Sequence, residues 1–210
     1  MDDAEFWNRM AERYARQPVA NPDAFDRKIE VTRALITPQS VVLDIGCGTG
    51  SLVLRLAPDA GEVHGLDFSI EMVRIANDKA RAQQVGNAHF HAGPFDDSFN
   101  AFADGQLDGA CAYSVLHLLA DRSSALQRIH RLLKPGGFFV SSTVCLGESR
   151  TPFRPLLSMM RWLGKAPSVV SLLSRRDLVE DIRQAGFIDL SQPDVGAGRT
   201  LAFVVAMKPE

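Results

Sequence analysis

The segment that most constrains this chain is Asp44-Ile45-Gly46-Cys47-Gly48-Thr49-Gly50, which closes the apolar, β-branched run beginning at Val41. A short apolar run ending in glycines reads as a buried strand followed by a sharp turn. Glycines there let the backbone reverse tightly and leave no Cβ between the chain and a ligand lying across it. The expectation is a ligand site at the carboxyl end of a parallel strand.

The rest of the sequence alternates in the way such a site requires. Residues 3–16 and 24–36 read as helices, the second bracketed by Pro22 and Pro38. After the strand at 41–45 come a helix at 51–57, a strand at 63–66 and a helix at 70–83 with Ser69 as its N-cap. Strands follow at 88–92 and 107–113, then a helix over 125–133 that Pro135-Gly136-Gly137 is expected to stop, and a strand at 138–144. Strands separated by helices of this length predict right-handed β-α-β units and a mostly parallel sheet, hence an α/β fold. A helix at 177–185 precedes extended segments at 188–190 and 201–205. Their short connection, containing Pro193, Gly196 and Gly198, predicts an antiparallel hairpin at one sheet edge.

With 210 residues, 46% hydrophobic and 23% charged, the chain is expected to form one domain. A chain of this size buries roughly 70–75% of its unfolded surface and needs no disulfide or metal to hold a core. Cys47, Cys111 and Cys145 lie far apart with no C-x-x-C, which argues against a disulfide framework or a zinc site and for reduced thiols. No apolar run approaches the ~18–20 residues that span a bilayer, and the acidic start (Asp2, Asp3, Glu5) is unlike a signal peptide. A cytoplasmic location is expected. The net charge of −2 gives no general attraction to nucleic acid. It conceals an asymmetry: residues 150–176 hold six basic and no acidic side chains, leaving 17 basic against 25 acidic residues elsewhere.

Glycine spacing separates the candidate ligands. A dinucleotide fingerprint, G-x-G-x-x-G, needs a glycine at position 51, where this chain has Ser51. The pattern present is G-x-G-x-G, with Asp44 two residues before its first glycine. No Gly-Lys-Ser/Thr follows, so a Walker-type phosphate loop is excluded. Asp67, at the end of the next strand and 21 positions after Gly46, can accept hydrogen bonds from both hydroxyls of a ribose. Together these residues predict a nucleoside-type cofactor.

At these residues the sequence resembles the class I S-adenosylmethionine-dependent methyltransferases of the small-molecule type, including the ubiquinone/menaquinone-biosynthesis enzymes. The matching blocks are residues 42–50, 63–69 and 107–119, Leu133-Lys134-Pro135-Gly136-Gly137, and Ala185-Gly186-Phe187, so nearly the whole chain is covered. The resemblance implies a Rossmann-like sheet of seven strands, the last antiparallel, with helices on both faces. It implies S-adenosylmethionine as cofactor and S-adenosylhomocysteine as product. Asp44 and the loop of Gly46, Cys47, Gly48 and Gly50 would then face the methionine part, Asp67 the ribose and Phe68 the adenine, with Tyr14 closing over the methionine end. Phe95 and Tyr113 complete the implied cofactor set. One departure stands out: relatives often have Gly-Asp after the third strand, whereas Gly93 here is followed by Pro94 and Phe95. Asp96 or a backbone carbonyl would have to read the adenine instead.

The resemblance also divides the chain into an N-terminal helical cover (1–37), a cofactor-binding core (38–145), a substrate lid (146–175) and a C-terminal helix with edge hairpin (176–210). Because a sulfonium methyl is intrinsically electrophilic, alignment of the acceptor for direct in-line displacement carries most of the chemistry. His117, after the fourth strand, is the candidate base, against a purely structural role. Ser114 beside it, with Met159 and Trp162 in the lid, are candidate pocket residues, and no metal ligand is assigned. His64, His89, His91 and His130 read as structural or solvent-facing. The apolar and basic lid favours a small apolar or amphipathic acceptor, or transient contact with a membrane that delivers it, against a helix merely packed on the sheet. The competing readings are an NAD-dependent oxidoreductase and a non-catalytic S-adenosylmethionine-binding protein.

Overall fold

A computed structural model describes residues 3–147, 155, 159–160 and 166–210. Its elements are α1 (Asp3–Arg16), α2 (Pro22–Arg33), β1 (Val41–Ile45), α3 (Ser51–Leu56), β2 (Glu62–Asp67), α4 (Ile70–Ala82), β3 (Ala88–Ala92), β4 (Leu107–Tyr113), α5 (Arg122–Leu132), β5 (Leu133–Val144), α6 (Arg175–Gln184), β6 (Ile188–Ser191) and β7 (Leu201–Met207). The seven strands form one sheet in the order β3-β2-β1-β4-β5-β7-β6. β1 to β5 run parallel, and β7 lies antiparallel between β5 and β6. The C-terminal hairpin is therefore present at the expected edge, with its second strand as the one that joins the sheet.

Strand periodicity builds two cores. Leu43, Ala110, Phe139 and Val204 face one side, packed with Leu126 and Ile129 of α5 and Leu178 and Ile182 of α6. Their neighbours Val42, Cys111, Val140 and Val205 face the other, packed with Ile29 of α2 and Val53 and Leu56 of α3. Strands buried on both faces read as continuous apolar runs, which is why the central strands were legible. All three cysteines are buried, and none forms a disulfide.

The helix caps account for the boundaries that differ from the sequence reading. Asn21 caps α2 by accepting the Ala24 N–H at 3.0 Å, which puts Pro22 inside the first turn, where a missing N–H is harmless. Asp121 and Ser174 likewise cap α5 and α6, so both helices begin before their first apolar residues. Ser69 caps α4 as expected. Pro135-Gly136-Gly137 does not stop α5: the helix ends at Leu132, and the tripeptide lies within β5, where Leu107 pairs with Leu133 across a register shift.

Candidate active site

In this strand order β1 and β4 are adjacent at the centre, and the chain leaves them in opposite directions along the sheet. A crevice opens at such a switch point, outside the carboxyl ends of the strands. The glycine turn sits there. Gly46 has φ +71°, and a Cβ on it would meet Val115 Cγ2 at 2.6 Å, so the turn after β1 and the turn after β4 fit together only with glycine at 46. Gly48 has φ +53° and faces Tyr14, whose ring would lie 3.7 Å from an added Cβ.

Two carboxylates flank this turn. Asp67 Oδ2 accepts the Gly48 N–H and Oδ1 accepts the Ser69 N–H, each at 2.9 Å. Burial raises the Asp67 pKa, and these two backbone donors oppose the rise. Asp44 is 2% exposed, its Oδ1 has no hydrogen-bond partner, and burial reinforced by the Asp67 charge holds its pKa well above the usual carboxylate range. The same desolvation and the two carboxylates raise the Tyr14 pKa. Excess negative charge converging on a partly dry site makes it a place for a cation.

The crevice continues into a cavity of about 1180 Å³. Its cover is α1, whose Asp3, Phe6, Trp7, Met10 and Tyr14 recur at the three- and four-residue spacing of one helix face and line the cavity, as does Gln17 just past the helix end. Trp7 meets Phe6 and Tyr14 edge-to-face at 5.3 and 6.4 Å. The helix is fixed from behind by Asn8 Oδ1, which accepts the Ser69 hydroxyl at 2.7 Å and the Glu71 N–H at 3.3 Å, while Ala11 packs with Met72 and Ile75. A second wall comes from residues 166–171. Asp3 accepts both the N–H and the hydroxyl of Ser168 at 2.6 Å, and the His117 carbonyl accepts the Ser171 N–H at 2.7 Å.

The cavity unites many of the predicted residues: Tyr14, Gly46, Gly48, Asp67, Phe68, Phe95, Tyr113, Ser114 and His117 all line it. Others sit apart. Cys47 packs toward Gly65, where an added Cβ would meet its Sγ at 2.8 Å, so its side chain supports the turn from behind. Gly50 is the N-cap of α3, and Asp44 lies beneath the turn; neither lines the cavity. Met159 is exposed and outside the lining, whereas Met160 is inside it. Trp162 falls outside the described residues, as do Arg150, Arg154, Arg161 and Lys165 of the basic segment.

Tyr113 is a wall residue rather than a polar contact. Its hydroxyl donates to the Lys28 carbonyl at 3.2 Å and pairs with Thr32 Oγ1 at 2.8 Å, both on α2. Asp96 lines the cavity, with Oδ1 accepting the Ser98 N–H at 2.9 Å in a local turn. Phe95 lies under the Arg128 guanidinium at 5.6 Å. His117 occupies a single 3-10 turn, Leu116–Leu118. Its Nδ1 is buried without a partner, and burial lowers its pKa to about 4, so the ring is neutral at neutral pH. Sequence reasoning missed Phe6, Trp7 and Met10; their stripe, in phase with Tyr14, was the available signal.

Sheet order, the glycine turn after β1 and the carboxylate that ends β2 define a Rossmann-like nucleoside-cofactor protein. A family profile described as a methyltransferase domain matches residues 36–172. The chain belongs to this family, the class I S-adenosylmethionine-dependent methyltransferases, whose cofactor is S-adenosylmethionine. The demethylmenaquinone methyltransferase of Lactiplantibacillus plantarum is 34% identical over 160 residues, covering 71% of this chain and 61% of that protein. The O-methyltransferase cnsE of Penicillium expansum is 32% identical over 158 residues, covering 73% of this chain and 54% of its own length. This chain thus spans little more than half the length of these two relatives. Among solved structures, phosphoethanolamine N-methyltransferase 2 of Haemonchus contortus, in complex with phosphomonomethylethanolamine and S-adenosylhomocysteine, superposes with a TM-score of 0.72 at 17% identity. That match covers 88% of this chain and 53% of the other and speaks for the fold. The family sets aside the oxidoreductase reading. Among the described residues, no helix is long and apolar enough to cross a membrane.

Proposed function

We propose that this chain transfers the methyl group of S-adenosylmethionine to a small apolar or amphipathic acceptor held under α1. The carrying observation is that one cavity of about 1180 Å³ joins the glycine turn and Asp67 to an apolar wall that includes Phe6, Trp7, Met10 and Val115. This exceeds the roughly 300–1,000 Å³ of a typical single-ligand pocket, leaving room for a cofactor and an acceptor together.

The residues fit the cofactor. S-adenosylmethionine, when bound, supplies an electrophilic methyl group on a cationic sulfonium. The buried, unpartnered Asp44 Oδ1 and the two-carboxylate field suit that charge. Asp67, oriented by Gly48 and Ser69, retains lone pairs for ribose hydroxyls, and Phe68 offers its ring at the same mouth. Gly48 leaves the turn open to a ligand lying between it and Tyr14, while Gly46 makes room for Val115 behind.

The protein's part in the reaction is alignment and exclusion of water. α1 and residues 166–170 wall the cavity, and an acceptor atom presented in line needs no covalent relay. His117 is a polar group on the cavity wall, close in sequence to Ser114. Held neutral, it accepts a hydrogen bond from an acceptor O–H or N–H and orients it, and with a pKa near 4 it is a weak base at neutral pH. The names of the two sequence relatives, an O-methyltransferase and a demethylmenaquinone methyltransferase, favour a hydroxyl-bearing or quinone-type acceptor.

Thermal shift and calorimetry with S-adenosylhomocysteine, followed by labelled methyl transfer to a panel of phenols, quinols and amines, test this. Saturating cofactor at 100 Kd should stabilise the protein by about 2.7 kcal/mol. Absence of cofactor binding would overturn the site assignment. Binding without transfer to any acceptor would favour a non-catalytic binding protein.

A further inference from the structure

A second polar cluster lies on β2 and β3, apart from the cavity. Residues two apart on a strand share a face, so Glu62 and His64 project from the same side of β2. The parallel register places His89 directly opposite His64, with His91 two positions further along β3. One ligand atom from each of Glu62, His64 and His89 lies within 4.8 Å of the other two. His64 Nε2 is 3.1 Å from Glu62 Oε2, and His64 Nδ1 is 3.1 Å from His91 Nε2. Aromatic rings hold the imidazoles in place: Phe102 meets His64 edge-on at 4.7 Å, and Phe99 meets His91 at 5.6 Å.

We propose that Glu62, His64 and His89 form a binding site for a divalent first-row transition cation, with Zn²⁺ the best match. Two imidazoles and one carboxylate are a donor set that such ions take, whereas Mg²⁺ and Ca²⁺ require oxygen ligands. In this arrangement His64 binds through Nε2 and its Nδ1–H donates to His91 Nε2, the outer hydrogen bond that fixes the tautomer and orientation of a ligating histidine. Ligand atoms bound at about 2.0–2.1 Å around one tetrahedral ion lie about 3.4 Å apart. Closing that gap falls to the exposed Glu62 and His89, while the half-buried His64 stays fixed. The cysteines supply no donor; strand register alone assembles the site, which is why cysteine spacing argued against zinc.

None of the three ligands lines the cofactor cavity, and Asp67 is three residues beyond His64, about 10 Å along the strand. The ion would clip the edge strand β3 to β2 without taking part in methyl transfer. Tag-free full-length protein, stripped with chelator, is titrated calorimetrically with Zn²⁺ and, separately, Mg²⁺. Saturable binding of one Zn²⁺ per chain with a raised melting temperature is expected, and no response to Mg²⁺. The exposed-site variants Glu62→Gln and His89→Asn should each weaken Zn²⁺ binding at least ~10-fold, with unchanged circular dichroism and S-adenosylhomocysteine affinity. His91→Asn should weaken it less. Zn²⁺ binding no tighter in the wild type than in the Glu62→Gln/His89→Asn double variant, or equal binding of Mg²⁺, would overturn the proposal.

Discussion

Asp44 and His117 show how single buried groups can work against stability at a ligand site. Ionised Asp44 is desolvated, has an unpartnered oxygen and faces the Asp67 field, so the folded state favours its protonated form. Its contribution to stability is therefore fully present below the unfolded carboxylate pKa and is lost as pH rises toward the folded value. Asp44→Asn should stabilise the ligand-free protein at pH 7 by about 1–3 kcal/mol, with the advantage over wild type shrinking as pH falls toward 4. The same variant should bind S-adenosylmethionine, which carries the sulfonium charge, at least tenfold more weakly, about 1.4 kcal/mol. Denaturant melts across pH and calorimetry check the pair of effects. His117 has the opposite sign. Its neutral form is favoured by burial, so its contribution is complete above pH 6.5 and is lost as pH falls through about 4. Relative to His117→Asn, the wild type should lose about 3 kcal/mol across that window. His117→Ala should reduce turnover far more than cofactor affinity, and equal losses would remove its role beside the acceptor.

The element that matters most is α1, an amphipathic helix with two dissimilar working faces. One lines the cavity with Phe6, Trp7, Met10 and Tyr14; the other sits on α4 through Ala11 and the two hydrogen bonds of Asn8. The Arg74–Glu12 ion pair at 2.7 Å is exposed and adds little. Asn8→Ala should therefore weaken docking by about 1–2 kcal/mol. Hydrogen exchange is the direct measurement, with faster exchange confined to residues 3–16 and the β1 and β4 amides unaffected. Bound S-adenosylhomocysteine should slow exchange in α1, because Tyr14 then packs against a ligand as well as the turn. A uniform acceleration across the sheet would show instead that α1 is part of the core.

At the scale of the whole molecule, a local code and a topological one meet. The sheet, its edge hairpin, the glycine turn and both carboxylates were legible because each depends on neighbours a few residues away: apolar runs for strands, Ser69 for a cap, glycines for a turn. Helix starts at Asp121 and Ser174 were missed because a cap precedes the apolar stripe that signals the helix. Pro135-Gly136-Gly137 reads as the stop of the helix, but α5 already ends at Leu132 and the tripeptide falls in the register shift between the Leu107–Leu133 and Gly109–Phe138 pairs, a tertiary feature that local turn chemistry does not specify. The two hydrogen bonds from the Tyr113 hydroxyl to α2 and the retreat of Cys47 behind the turn depend on packing between distant segments. So do the Asp3–Ser168 closure and the alignment of His64 with His89. Sequence alone determined the α/β class and the kind of cofactor, since periodicity and turn chemistry act over a few residues. Only the tertiary structure decided which side chains face the cavity, what covers it and which histidines meet, because those follow from strand order and register between residues far apart in the chain.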